Sequence, residues 1–185
     1  MREQVTQLVL ARDDQRLTVV KVAGFAVAVA VAAQVAIPLP GTPVPITLQP
    51  LLVVLAGLWL GPRAAVASML LYLSAGAMGL PVWTPLGVPG VARLLGPTGG
   101  YLLSYPLAAL TASLLSRRSS SYPRRVVAAL AAMAVIYAGG LAQLTVITGT
   151  VARAALFGAA PFVALDLVKC LIAGGLAPRG PREPA

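Results

Sequence analysis

Between Val22 and Ser116 the chain carries only two charged side chains, Arg63 and Arg93, and no carboxylate. A water-soluble domain usually has about 25% charged residues. This 185-residue chain has 10%, with 58% hydrophobic residues and a mean hydropathy of +0.87. Its acidic residues are Glu3, Asp13, Asp14, Asp166 and Glu183. Such a chain needs lipid, not water, as its main solvent, so it reads as a multi-pass membrane protein.

That reading excludes several others. A net charge of +9 would point to nucleic acid in a soluble chain, but here the basic residues gather at the ends of apolar segments. Cys170 stands alone and there is no histidine, which excludes a disulfide framework, imidazole metal sites and His-based triads. No G-x-x-x-x-G-K-[ST] loop is present, so ATP hydrolysis by that route would need another subunit.

Turn signals and charges divide the apolar sequence into six predicted helices: Val19–Ile37, Thr47–Leu60, Ala64–Leu80, Tyr101–Leu115, Val126–Leu144 and Leu156–Leu176. The second is the weakest and is expected to be extended by the loop before it. The expected fold is therefore an all-α six-helix transmembrane bundle at 19–176, between cytoplasmic segments 1–18 and 177–185. With the N-terminus inside, one set of connections holds Arg2, Arg12, Arg16, Lys21, Arg63, Arg117, Arg118, Arg124, Arg125, Arg179 and Arg182. The other holds Arg93 and Arg153, with Lys169 inside the last helix. By the positive-inside rule both termini face the cytoplasm. Reading the first apolar run as a cleaved signal peptide fits less well, because a polar stretch precedes it and the run continues into Gln34. Small residues at helical spacing, Gly24–Ala28–Ala32 and Ala26–Ala30, offer a face to another helix or pack within the chain's own bundle.

The predicted outer loops are shaped by proline and glycine. The segment 38–50 has five prolines and no charge, and the segment 81–100 carries Trp83, Arg93 and Gly96-Pro-Thr-Gly-Gly100. Irregular backbone at membrane depth persists where it lines a cavity, so a lidded outer pocket is expected. Gln34, Gln49, Gln143, Thr42, Thr47, Thr84 and Thr98 gather at the same level. Singly they would solvate helix ends; jointly they fit an uncharged, hydrogen-bonding ligand. Trp59 and Trp83, one near each side, fit an aromatic belt.

Asp166 and Lys169 are the sharpest feature. They lie about ten and thirteen residues into the last predicted helix, roughly 15 Å deep for Asp166. Each charge there costs about 2.5–3.5 kcal/mol on insertion scales. Their i, i+3 spacing puts them on one face. The pair is structural, binds a ligand, or couples transport to protons or ions. Arg93 is either a carboxylate clamp or an interfacial anchor.

The segment Ile37-Pro-Leu-Pro-Gly-Thr-Pro-Val-Pro-Ile-Thr-Leu-Gln49 resembles the first-loop signature of the BioY family, the biotin-specific S-components of energy-coupling factor (ECF) transporters. Leu55-Ala-Gly-Leu-Trp-Leu-Gly-Pro62, Tyr72 through Gly79-Leu-Pro81, Leu95-Gly-Pro-Thr-Gly-Gly-Tyr-Leu102 and Asp166-Leu-Val-Lys169 are further matches, and the resemblance covers about Ala23 to Ala173. The resemblance implies a six-helix bundle in a prokaryotic cell membrane, with biotin as transported ligand rather than cofactor and no covalent chemistry. It implies that Asp166 and Lys169 hold the ureido head and that the loop with Thr42 and Gln49 is a lid. Arg93 and Tyr101 stand among third-loop contacts, Arg93 on the valerate carboxylate. The stripe Gly24, Ala26, Ala28, Ala30, Ala32 would dock a transmembrane coupling subunit driven by two cytosolic ATPases. The alternatives are a stand-alone importer coupled through Asp166, an S-component for another vitamin, and an intramembrane enzyme.

Overall fold

The computed structural model describes residues 2–117 and 121–178, with side chains described from Gln15 onward. Of the basic residues counted for orientation, Arg118, Arg179 and Arg182 lie outside the described residues, as do the side chains of Arg2 and Arg12 and most of the segment 177–185.

The helices are α1 (Arg2–Gln34), α2 (Gln49–Trp59), α3 (Pro62–Ala77), α4 (Gly99–Ser116), α5 (Tyr122–Thr148), α6 (Val151–Gly158) and α7 (Val163–Leu176). Prolines start several of them: Pro50, Pro62 and Pro123 occupy first-turn positions, where a missing N–H costs nothing. α3 ends in a Schellman motif, with Leu80 N–H on Ala75 O and Gly79 N–H on Gly76 O. That motif needs a left-handed residue, supplied by Gly79 at φ +90°.

Besides α1, which begins at Arg2 and not at Val19, three features depart from the sequence expectation. α2 is not extended by the loop before it; instead Ala36–Ile37 (β1) and Ile46–Thr47 (β2) form a short antiparallel ladder, so the fold is not purely helical. The prolines of 38–45 cannot continue α1, and the ladder closes the loop they shape. The last predicted helix is two, α6 and α7, bent by 58°. Pro161 lies at the break and removes a helical donor there, so the sequence does carry a signal for it. Asp166 consequently lies in the first turn of α7, not ten residues into a long helix.

By length and composition two helical stretches can cross a membrane, Gln15–Gln34 and Tyr122–Thr148, and the bent pair α6–α7 makes a third if counted as one span. α4 packs against α2, α3 and α5; α7 packs against α2 and α5; α1 lies against α2 and α3. The tightest seam is between α4 and α5. A methyl group on Gly100 would collide with the Gly139 oxygen, and one on Gly139 would lie 2.6 Å from the Gly100 oxygen. Small residues are what allow backbones this close, so Gly100 and Gly139 serve helix packing, while Gly99 leaves room for the Leu94 oxygen.

The two proline- and glycine-rich loops meet at one end of the bundle. Gln34 on α1 donates to Pro81 and Trp83 oxygens, and Gln143 on α5 donates to Leu94 and Gly96 oxygens. At the opposite end Arg125 donates to the Ala177 and Pro178 oxygens and is buried, while Arg124 reaches Leu115 O.

Candidate functional site

The break before α7 sets the site's chemistry. It places Asp166 in a helix's first turn, where free N–H groups and the helix dipole favour an anion. One turn on, Lys169 Nζ lies 2.7 Å from Asp166 Oδ1. The other carboxylate oxygen, Oδ2, accepts from the Tyr137 hydroxyl of α5 at 2.5 Å. Lys169 also donates to the Thr47 main-chain oxygen at 2.8 Å, so α7 and β2 share one ammonium. Both charges are buried, with 6% and 9% of their surfaces exposed. Pairing and hydrogen bonding are what make burial of two such charges tolerable.

This group forms part of the lining of a cavity. Val44, Pro45, Ile46 and Thr47 face it from the first loop, Trp83, Thr84 and Arg93 from the second, and Tyr101, Tyr105 and Tyr137 from α4 and α5. The empty space is about 650 Å³ counting its open mouth. Gln49 lines it too, donating to the Tyr72 hydroxyl at 2.5 Å, and Tyr72 stacks on Tyr105 with ring centroids 6.4 Å apart. The result is an aromatic wall with a few polar groups at fixed positions, the usual make-up of a small-molecule site.

Arg93 is buried in the 3₁₀ turn Gly90–Leu95, and its guanidinium is engaged by its own loop. It donates to the Leu86 and Thr84 main-chain oxygens and, at 2.8 Å, to Thr84 Oγ1. Burial lowers its pKa from the ordinary value, opposed by Tyr72. The structure puts Arg93 at the cavity wall but gives it a second task, holding the second loop in shape. Tyr101 lines the cavity with its ring and donates to Gly158 O at 2.8 Å, tying α4 to the end of α6.

Other sequence expectations sort differently. Thr42 is not part of the lining. Its hydroxyl donates to Phe157 O at 2.6 Å and accepts from Val44 N–H at 3.1 Å, fastening the first loop to α6. Gln34 and Gln143 are loop clamps away from the cavity, because loop carbonyls at the helix ends need donors. Trp83 is no belt residue: it is 5% exposed and packs on Gly76, whereas Trp59 is half exposed, edge-on to Phe25. Along α1, Ala26 and Ala32 are buried in the chain's own core and Ala30 is partly covered. Ala28 is partly covered as well, and Gly24 is exposed, with nothing within 4 Å of where a methyl group would stand. Sequence reasoning missed Tyr72, Tyr105 and Tyr137; the available signal was a polar-tipped ring on an apolar helix, which also fits ordinary packing. Among the described residues no group of three His, Cys, Asp or Glu is placed to hold a metal.

The sequence profile of the BioY family matches residues 3–183. The chain belongs to the BioY family. Membership covers nearly the whole length, both loops and α7 included. A relative from Pyrococcus horikoshii, named "Probable biotin transporter BioY", is 38% identical over 158 residues, 85% of this chain and 92% of its own. The "Biotin transporter BioY" of Thermotoga maritima is 35% identical over 160 residues, 86% of this chain and 93% of its own. Among solved structures, the S-component for biotin from an ECF-type ABC transporter superposes with a TM-score of 0.81 at 23% identity, covering 89% of this chain and 90% of that one. At that identity the superposition speaks for the fold, which is that of an S-component. A family of named transporters with apolar helices makes this a membrane protein and not an enzyme.

Proposed function

We propose that this chain is the biotin-binding subunit of an ECF-type vitamin uptake transporter. The observation that carries the reading is the unspent hydrogen-bonding capacity of the Asp166–Lys169 pair at the cavity. An ammonium has three donors, and Lys169 uses one on Asp166 and one on Thr47. A carboxylate has about four acceptor sites, of which Tyr137 and Lys169 take two. One remaining donor and two remaining acceptors match a cyclic urea, which offers one carbonyl oxygen and two N–H groups. The names of the relatives from Pyrococcus and Thermotoga support the same ligand.

In this reading the ureido head meets Asp166 and Lys169, and the aromatic wall with Tyr101 covers the ring system. Gln49 polarises Tyr72 beside it, and the valerate carboxylate is received by Arg93. The first loop, fastened by Thr42, is the lid over the bicyclic ligand. The domain at 19–176 crosses a prokaryotic plasma membrane six times, with 1–18 and 177–185 cytoplasmic and the cavity outward. A transmembrane coupling subunit docks on α1 over Gly24 and Ala28, because Ala26 and Ala32 are buried within the bundle and Ala30 packs against its core. Two cytosolic ATPases supply the energy, and neither cofactor nor metal takes part.

Labelled-biotin binding to the purified chain, compared with Asp166→Ala and Lys169→Ala, tests the assignment. A chain that binds no biotin refutes the function. Unchanged affinity in both variants refutes the head-group roles alone.

A further inference from the structure

We propose that Tyr137 is a positioning residue that aims the Asp166 carboxylate into the cavity, an inference that rests on the ligand reading above. Asp166 is held at two oxygens by groups from different elements. Lys169, on the same helix, takes Oδ1 at 2.7 Å, and Tyr137, on α5, takes Oδ2 at 2.5 Å.

The two tethers are not equivalent. Lys169 is a flexible chain whose ammonium is shared with Thr47 O. The rotation of a carboxylate about its terminal bond has a broad, soft profile, so one tether at Oδ1 leaves that rotation free. A second donor on Oδ2, carried by a ring with few internal rotations, stops it. The acceptor sites left over then keep one direction, which is what preorganisation of a binding group requires. The neighbouring tyrosines have other duties: Tyr101 donates to Gly158 O, and Tyr72 receives Gln49.

The position of Tyr137 follows from the α4–α5 seam. It lies two residues before Gly139, where the α5 backbone comes within close approach of α4. α5 also packs directly on α7, so its register sets where the hydroxyl meets Asp166. Removing only the hydroxyl, in Tyr137→Phe, keeps the ring and its packing.

Two measurements test this on the purified full-length chain. The first needs no ligand: infrared difference spectra of wild type and Tyr137→Phe, with the Asp166 carboxylate band identified by its loss in Asp166→Asn. The band shifts in Tyr137→Phe if the hydroxyl holds Oδ2, and an unshifted band overturns the proposal. The second is biotin affinity, expected to fall about tenfold or more, since a hydrogen bond to a charged group is lost. The preference for biotin over its carboxamide is expected to stay within about twofold, because the valerate end is untouched. Unchanged biotin affinity, or equal loss of that preference, overturns the positioning role. Wild type that binds no biotin, with the band still shifted in Tyr137→Phe, sinks the ligand reading and leaves the Tyr137–Asp166 contact standing.

Discussion

Lys169 Nζ lies 2.8 Å from the main-chain oxygen of Thr47, 122 positions earlier in the chain. The same ammonium pairs with Asp166 at 2.7 Å. One cation thus joins the last helix to the segment that lines its cavity and neutralises the carboxylate beside it. A ligand that draws on Lys169 acts at the point where the first loop is fastened.

Removing that cation is expected to cost more than its contacts suggest. Lys169→Met leaves the carboxylate buried without its partner, a change that typically costs about 3–5 kcal/mol. Asp166→Asn combined with Lys169→Met is expected to recover much of the loss. Thermal unfolding of Lys169→Met, Asp166→Asn and the double variant in detergent checks this, and strictly additive losses would contradict the coupling.

The first loop has a second fastening in Thr42, whose hydroxyl reaches Phe157 O at 2.6 Å. Thr42→Val removes that bond, worth about 1 kcal/mol, and keeps the side-chain shape. Under the lid proposal, biotin release accelerates about fivefold while association changes less. Thr42→Ser, which retains the hydroxyl, is expected to behave as wild type in a stopped-flow release assay.

The glycines divide into packed and open positions. Gly139→Val places a side chain against the Gly100 oxygen, 2.6 Å from its first carbon, and overpacking of this kind costs about 1–3 kcal/mol or more. Gly24→Val meets nothing within 4 Å and is expected to leave unfolding unchanged within about 0.5 kcal/mol. With the proposed coupling subunit present, Gly24→Val lowers uptake without lowering biotin binding. A melting-temperature comparison decides the first pair, and a vesicle uptake assay the last.

Arg93→Lys is expected to be far from conservative. A guanidinium spans the Leu86 and Thr84 oxygens together with Thr84 Oγ1, and a single ammonium does not reproduce that fork. Faster hydrogen exchange at 84–90 is the expected signature. Protection equal to wild type would mean that Arg93 does not hold the loop.

Much of the architecture was legible from where charge is missing. The gap in charge from Val22 to Ser116 called for a membrane solvent, and the apolar runs located most of the helices to within a few residues. The pairing of Asp166 with Lys169 was legible because it is local, one helical turn apart. The break at Pro161 was missed because the apolar run on both sides outweighed one residue. The tyrosine partners were missed because nothing in a single tyrosine distinguishes a packed ring from a hydrogen-bonding one.

Solvent preference, helix-forming segments and the i, i+3 ion pair are properties of short stretches, so they follow directly from residue order. The company each polar group keeps is different. Gln34, Gln143 and Thr42 look alike in sequence to Gln49 and Thr47, yet the first three fasten loops and the other two line the cavity. Tertiary packing decided this, because a carbonyl left unpaired at a loop end takes whichever donor the fold brings within reach. Asp166 gained Tyr137, and Lys169 gained Thr47, only once α5, α7 and the first loop had been set against one another.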